Sequence, residues 1–156
     1  MAAMEQILNR HFELIDHACR ECSGTNRFEA GDSYCLTFPD PGLAMAAVER
    51  LEKEWDAFER SKGLGCPMNI VVHKGELYAF RSFLYGIDIN VAVWVERATA
   101  PLPPGDTSIF VTRQVRRDLV GTSWYKRLQP VDVEPIIPQL AEIEVCRLGK
   151  PESGSH

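Results

Sequence analysis

Apolar residues recur at helical spacing in three stretches of the chain. In residues 4–22 they return about every 3.6 positions, which predicts an amphipathic helix. A second, longer helix is predicted over residues 41–60, with Asp40 as its N-cap and Pro41 at its first helical position. A third is predicted over residues 89–98, after the turn at Tyr85-Gly86.

Shorter apolar runs between these helices predict strands. Residues 27–38, RFEAGDSYCLTF, predict a hairpin that turns at Gly31-Asp32-Ser33. Residues 69–72 predict a buried strand, with residues 77–80 as its hairpin partner across Lys74-Gly75-Glu76. The remaining predictions are strands or extended segments at 108–112, 124–133 and 139–148, and a short helix at 113–119.

Length and charge limit the classes of protein that fit. The 156 residues predict one α+β domain over residues 1–150, followed by a disordered tail at 151–156. A net charge of −5 argues against general nucleic-acid binding, which needs a basic face. No apolar run reaches the roughly 20 residues of a membrane span. Charged residues interrupt the apolar pattern at the N-terminus, which is unlike a signal peptide. We therefore expect no membrane partner and a cytoplasmic protein.

The five cysteines are an odd number without a secretory signal, so we expect reduced thiols. His17, Cys19 and Cys22 form an HxCxxC cluster that is one alternative, a zinc site. A second pair of ligands at the spacing of a zinc finger is missing, and buried thiols are the favoured interpretation.

Three segments occur in an order that resembles a known family. They are MNIVVHKGE at residues 68–76, LYGIDINVAVWVERA at 84–98 and PGDTSIFVTRQVRRDLVG at 104–121. Together they resemble the class III nucleotidyl cyclases, the adenylate and guanylate cyclases, over residues 10–148. The resemblance implies a ferredoxin-like cyclase core, an antiparallel or mixed sheet with helices packed on it, and dimers that hold the nucleotide between subunits.

The resemblance also implies a chemistry, in which the ribose 3′-oxygen attacks the α-phosphate with help from two metal ions. Two Asp carboxylates hold the metals, because Mg²⁺ and Mn²⁺ prefer oxygen ligands. An Asn and an Arg orient the ribose and stabilise the phosphate charge. A Lys and an Asp or Thr read the purine.

At several of these positions the chain differs from the pattern of the family. Asp32 matches the second metal-binding Asp, and an ordinary turn Asp is the favoured alternative. The first metal Asp and its strand are missing, because only residues 1–4 precede the first predicted helix. Phe28 and Phe83 fall at the purine-reading positions. We expect them to fill space or to line a degenerate nucleotide cleft.

The third predicted helix carries the other matches. Asn90 matches the ribose-orienting Asn, with capping of the helix or a turn hydrogen bond as its alternative. Trp94 stands where the family has its phosphate-binding Arg, and an indole with one donor cannot replace a guanidinium. Arg97 lies three residues further along near the same face. It is either a partial substitute or a solvated surface residue.

The amino-acid sequence alone leaves three functions open. The favoured one is a catalytically inactive cyclase homology domain, a pseudoenzyme that serves as a regulatory or dimerising module without a cofactor. The second is an active cyclase, a phosphorus-oxygen lyase, that makes cyclic nucleotide from ATP or GTP with Mg²⁺ or Mn²⁺ in a site shared with a partner subunit. The third is a small-ligand sensor whose apolar cleft is lined by Phe28, Phe83 and Trp94.

The missing first strand predicts how the domain associates. In the cyclase core it would lie between the strands at residues 34–38 and 69–73. Either these two strands pair directly, or a strand from another chain fills the gap, or the domain dimerises through the opening. We expect a homodimer or a cyclase-like partner domain.

Overall fold

The computed structural model describes residues 2–30, 33–80, 83–100, 106–133, 138 and 142–151. These residues divide into two compact units. The first unit contains the described residues up to Met68 together with residues 106–107, and the second contains the rest. None of the helices in the described part has the length and apolar character that a membrane crossing requires.

Two long helices form the centre of the first unit. They are α1 (Ala2–Glu21) and α2 (Pro41–Lys62), and they pack against each other. The predicted cap of α2 is confirmed, because the Asp40 side chain accepts a hydrogen bond from the Leu43 backbone N–H at 2.9 Å. The buried apolar residues of the two helices are Leu14, Ile15, Ala18, Cys19, Ala44, Met45, Ala47, Val48, Leu51 and Trp55.

The predicted hairpin follows α1. It consists of β1 (Thr25–Ala30) and β2 (Ser33–Thr37), which pair antiparallel with an irregularity between Asn26 and Phe28. Asp32, in the turn between the strands, lies outside the described residues. Among the described strands, β2 pairs only with β1.

The second unit contains the other strands and three helices. The strands are β3 (Asn69–Val72), β4 (Tyr78–Phe80), β5 (Phe83–Tyr85), β6 (Ser108–Thr112), β7 (Leu128–Val131) and β8 (Val145–Leu148). The helices are α3 (Ile87–Thr99), α4 (Arg113–Asp118) and α5 (Ser123–Arg127).

Four of these strands form one mixed sheet in the order β3-β6-β8-β7. β3 runs parallel to β6, while β8 is antiparallel to both β6 and β7. Every residue of β6 is buried, as expected for a central strand that is covered on both faces. Phe110 of β6 packs with Val95 of α3 and Val145 of β8, and these three residues form the centre of the core of this unit. The α+β prediction is confirmed.

Three interpretations of the strands are wrong. Residues 77–80 are not the hairpin partner of residues 69–72, because β4 pairs with β5 and β3 takes β6 as a parallel partner. Residues 124–133 are not extended throughout, because α5 occupies the first part and only β7 is a strand. Direct pairing of the strands at residues 34–38 and 69–73 is also wrong, because among the described strands β3 pairs only with β6.

Candidate functional site: the exposed face of α3 and an adjoining cleft

Two of the predicted site residues lie on the solvent face of α3. Asn90 and Arg97 are both exposed, and they are seven residues apart. Seven residues make about two helical turns, or ~10 Å along the axis, so the two side chains point to the same side. The capping alternative for Asn90 is wrong, because Gly86 occupies the N-cap position and no side chain caps this helix.

Trp94 lies between Asn90 and Arg97 along the helix, at the border between its exposed and buried sides. Its side chain is half-buried and packs against the cluster of Val95, Phe110 and Val145. The indole therefore contributes to the core of the second unit.

The remaining predicted site residues are distributed over the chain. Phe28 lies on β1 in the first unit and is 43% exposed. The backbone of Phe83 begins β5 in the second unit. Asp32 lies outside the described residues. The predicted apolar cleft of Phe28, Phe83 and Trp94 therefore stays a prediction.

A half-buried carboxylate organises the segment between β3 and α3. Asp88, in the first turn of α3, accepts a hydrogen bond from His73 Nε2 at 2.8 Å with one oxygen. Its other oxygen accepts a hydrogen bond from the Glu76 backbone N–H at 3.1 Å. An acidic residue in the first turn is also favoured by the helix dipole. The turn after β3 is thereby fixed to the start of α3.

His73 extends this connection to β6. Its Nδ1 atom lies 2.7 Å from the Thr112 hydroxyl oxygen, and its side chain is only 5% exposed. Because an ionised carboxylate only accepts hydrogen bonds, the proton on Nε2 is assigned to the bond with Asp88. In neutral His73 the Thr112 hydroxyl then donates to Nδ1. This arrangement agrees with a structural role for His73, since the buried Thr112 hydroxyl cannot reach a substrate.

Two glycines allow this close packing. A Cβ atom at Gly75 would overlap the carboxyl group of Asp88. Gly86 has a φ of 150°, and a Cβ atom there would lie 2.8 Å from the Glu76 carbonyl oxygen. The turn at Lys74-Gly75-Glu76 and the turn at Tyr85-Gly86 therefore pack against each other.

A cleft of about 510 Å³ adjoins this contact. Its lining comes from three places in the second unit: Lys74, Gly75 and Glu76 after β3, Asp88 of α3, and Gln114, Arg117 and Asp118 of α4. The turn and α4 face the same cleft because β3 and β6 are parallel and both end at this edge of the sheet. Lys74 Nζ donates to Asp118 Oδ2 across the cleft at 2.6 Å.

The predicted metal ligand, Asp32, lies outside the described residues, so the metal site that the cyclase resemblance implies stays a prediction. No group of three or more His, Cys, Asp or Glu side chains in the described part of the chain is arranged to hold a metal ion. Cys19 and Cys22 of the HxCxxC cluster are buried, and burial raises the pKa of the Cys19 thiol. All five cysteines are free thiols in the structure.

The sequence did not indicate several residues of this region as partners. Four residues approach the turn at residues 74–76 from later parts of the chain: Asp88, Gln114, Arg117 and Asp118. An acidic residue directly before the helix predicted over residues 89–98 was the one local signal for Asp88. The α4 residues had no local signal, because their position depends on the parallel pairing of β3 with β6.

Comparison with solved structures identifies the fold. The adenylate/guanylate cyclase/hydrolase from Silicibacter pomeroyi superposes with a TM-score of 0.71 at 18% identity, over 97% of this chain and 86% of that chain. The adenylyl cyclase CyaB from P. aeruginosa gives a TM-score of 0.63 at 13% identity, over 98% and 85%. Adenylate cyclases from Trypanosoma brucei, solved in their monomeric state, give 0.62 at 14% identity, over 93% and 79%.

These similarities show that the chain has a nucleotidyl cyclase-like fold, and the predicted fold class is confirmed. No protein-family model and no curated protein matches the sequence.

Proposed function

We propose that this chain is a catalytically inactive nucleotidyl cyclase homology domain that acts as a regulatory or dimerising module. The observation that carries the proposal is the packing of Trp94 into the cluster of Val95, Phe110 and Val145. By resemblance, this helix position supplies the Arg that stabilises the charge of the phosphate. The fold is retained while this position has become part of the core.

The replacement removes the chemistry of the position as well as its charge. An Arg presents five N–H donors in a planar fork, whereas Trp has a single indole N–H. Removing one donor that stabilises a transition state typically costs about 10²–10³ in rate. Arg97 is exposed one turn further along α3. In this proposal it is a surface residue.

Nucleotide affinity tests the proposal. We expect calorimetric titration of the purified chain with ATP or GTP and Mg²⁺ to give millimolar binding or none. A site without matched donors cannot hold or discriminate a base edge, and Phe28 and Phe83 stand at the purine-reading positions. Micromolar affinity that disappears in Asp32→Ala, while Asp56→Ala leaves it unchanged, would contradict the proposal. Asp56 is a carboxylate on α2 and is not one of the positions that the resemblance matches.

We also propose that the module is a homodimer that resides in the cytoplasm. Among the described strands β3 has one neighbour, so its second edge carries a row of backbone donors and acceptors. Such an edge favours pairing with another chain. Light scattering on a size-exclusion column should give twice the monomer mass at tens of micromolar. A monomer at that concentration would contradict dimerisation and leave the proposed inactivity to its own test.

One observation favours a second candidate, an active cyclase whose site is completed by a partner subunit. Asn90 and Arg97 share the exposed face of α3, and neither side chain has a hydrogen bond or an ion pair within the described residues. Both are therefore available to a nucleotide held by a partner. This candidate predicts that cyclic product appears when the chain is mixed with its partner and is lost in Asn90→Ala. The inactive module predicts no product in the same mixture.

A further inference from the structure

The cleft beside Asp88 contains charged groups with unused hydrogen-bonding capacity. Its charged lining residues are the cations Lys74 and Arg117 and the acids Glu76, Asp88 and Asp118. Counting these five side chains, the lining has a net charge of about −1. The cleft has a volume of about 510 Å³ and is open to solvent, and its lining side chains are polar or charged.

The two cations differ in whether they have a hydrogen-bond partner. The Lys74 ammonium is held by Asp118 Oδ2 at 2.6 Å. The Arg117 guanidinium has no hydrogen bond or ion pair within the described part of the chain, and neither has Gln114, which lies three residues before it on the same side of α4. One guanidinium and one amide therefore face the cleft with free donors, a pair suited to a single carboxylate.

Two acids that line the same cleft have spare acceptor capacity. Asp88 uses its two oxygens for His73 and the Glu76 N–H, and Glu76 accepts from the Tyr78 hydroxyl at 3.0 Å. A carboxylate has about four acceptor sites, so both acids can accept further hydrogen bonds. Glu76 and Asp88 therefore favour a ligand that brings a cationic donor into the same cleft as its carboxylate.

We propose that this cleft binds a small zwitterion with one carboxylate and one ammonium group, of the class of the free α-amino acids. Arg117 and Gln114 hold the carboxylate, and Glu76 and Asp88 accept from the ammonium. The ligand's carboxylate accepts from donors that have no partner within the described residues, and its ammonium donates to acceptor sites that Glu76 and Asp88 have left over.

Other ligand classes fit the cleft less well. A nucleotide triphosphate carries about four negative charges, which the three carboxylates would repel. A metal ion needs converging ligands, and no such group occurs in the described residues. The proposed site consists of side chains of the second unit alone. It is independent of the proposed loss of cyclase activity.

The test measures binding of the twenty standard amino acids, one at a time, to the full chain by ligand-detected NMR followed by calorimetry. We expect at least one to bind with a Kd below about 1 mM. The N-acetyl form and the amide of the same amino acid each lack one charge. Both should bind at least tenfold more weakly.

Substitutions of two exposed lining residues, with one matched control, test whether the ligand binds in the cleft. Arg117→Gln and Glu76→Gln should each weaken binding at least tenfold. Arg113→Gln removes a charge from the same helix outside the cleft, at a residue paired with Glu144, and should change the Kd less than twofold. Circular dichroism verifies that the variants fold. Absence of binding by all twenty amino acids, or binding that Arg117→Gln leaves unchanged, would overturn the proposal.

Discussion

Replacing Gly75 with Ala tests the contact that fixes the turn after β3 to α3. The new Cβ atom would overlap the Asp88 carboxyl group, so that group must move. Its movement breaks the bonds from His73 Nε2 and the Glu76 N–H, which are 2.8 and 3.1 Å long. The substitution therefore removes the two hydrogen bonds to Asp88 through a single methyl group.

The size of the effect follows from those two bonds. Hydrogen bonds to a charged group contribute about 1.5–3 kcal/mol each. Asp88 is 24% exposed, so water recovers part of the loss and the lower end, about 1.5 kcal/mol per bond, applies. Replacing Gly by Ala also restricts the unfolded chain, which returns roughly 0.5–1 kcal/mol. We expect Gly75→Ala to lower the free energy of unfolding by about 2–2.5 kcal/mol.

Urea denaturation followed by circular dichroism measures this change, with Gly65→Ala as the control. Nothing lies within 4 Å of a Cβ atom at Gly65, so the same substitution meets no neighbour. We expect the control to match the parent protein or to be slightly more stable. If Gly75→Ala is as stable as Gly65→Ala, the Asp88 contact does not hold the turn as described.

Two further changes test the core. Trp94→Arg should lower the free energy of unfolding by about 2 kcal/mol, roughly half the usual loss for a fully buried Trp, because the side chain is half-buried. The control Val93→Arg changes an exposed neighbour and should lower it much less, as measured by urea denaturation. Burial raises the pKa of Cys19, Cys35 and Cys146 above 9.0, so the folded state binds these protons more tightly than the unfolded state. Stability should be unaffected by these thiols below pH 9.0 and should fall as pH rises further, with a shallower fall in Cys35→Ala by thermal unfolding.

Local signals predicted most of the helices and several of the strands. The Asp40-Pro41 start of α2 was predictable because an N-cap acts within its own first turn. The α5 helix was missed because it is only five residues long and lies in an apolar-polar pattern that also suits a strand. Its Thr122 cap, which accepts from the Tyr125 N–H at 3.4 Å, was the signal that could have indicated it.

Long-range pairing accounts for the remaining failures. Neighbouring strands favour a hairpin, yet the turn at residues 73–76 packs on Asp88 and β3 pairs with a strand about 39 residues later. No periodicity in either segment specifies that parallel register. The cleft could not be predicted for the same reason, because it exists only once β3 and β6 lie side by side.

The measurement that tests the central claim most directly is turnover by the purified chain. The protein is incubated with ATP or GTP in the presence of Mn²⁺ or Mg²⁺, and cyclic nucleotide is separated by chromatography and compared with a heat-denatured sample. Loss of a group that stabilises the transition state lowers the rate by about 10²–10³, and further losses need not be additive. The inactive-module account predicts no cyclic product above the denatured control. Product that requires native protein and disappears in Asn90→Ala would contradict it.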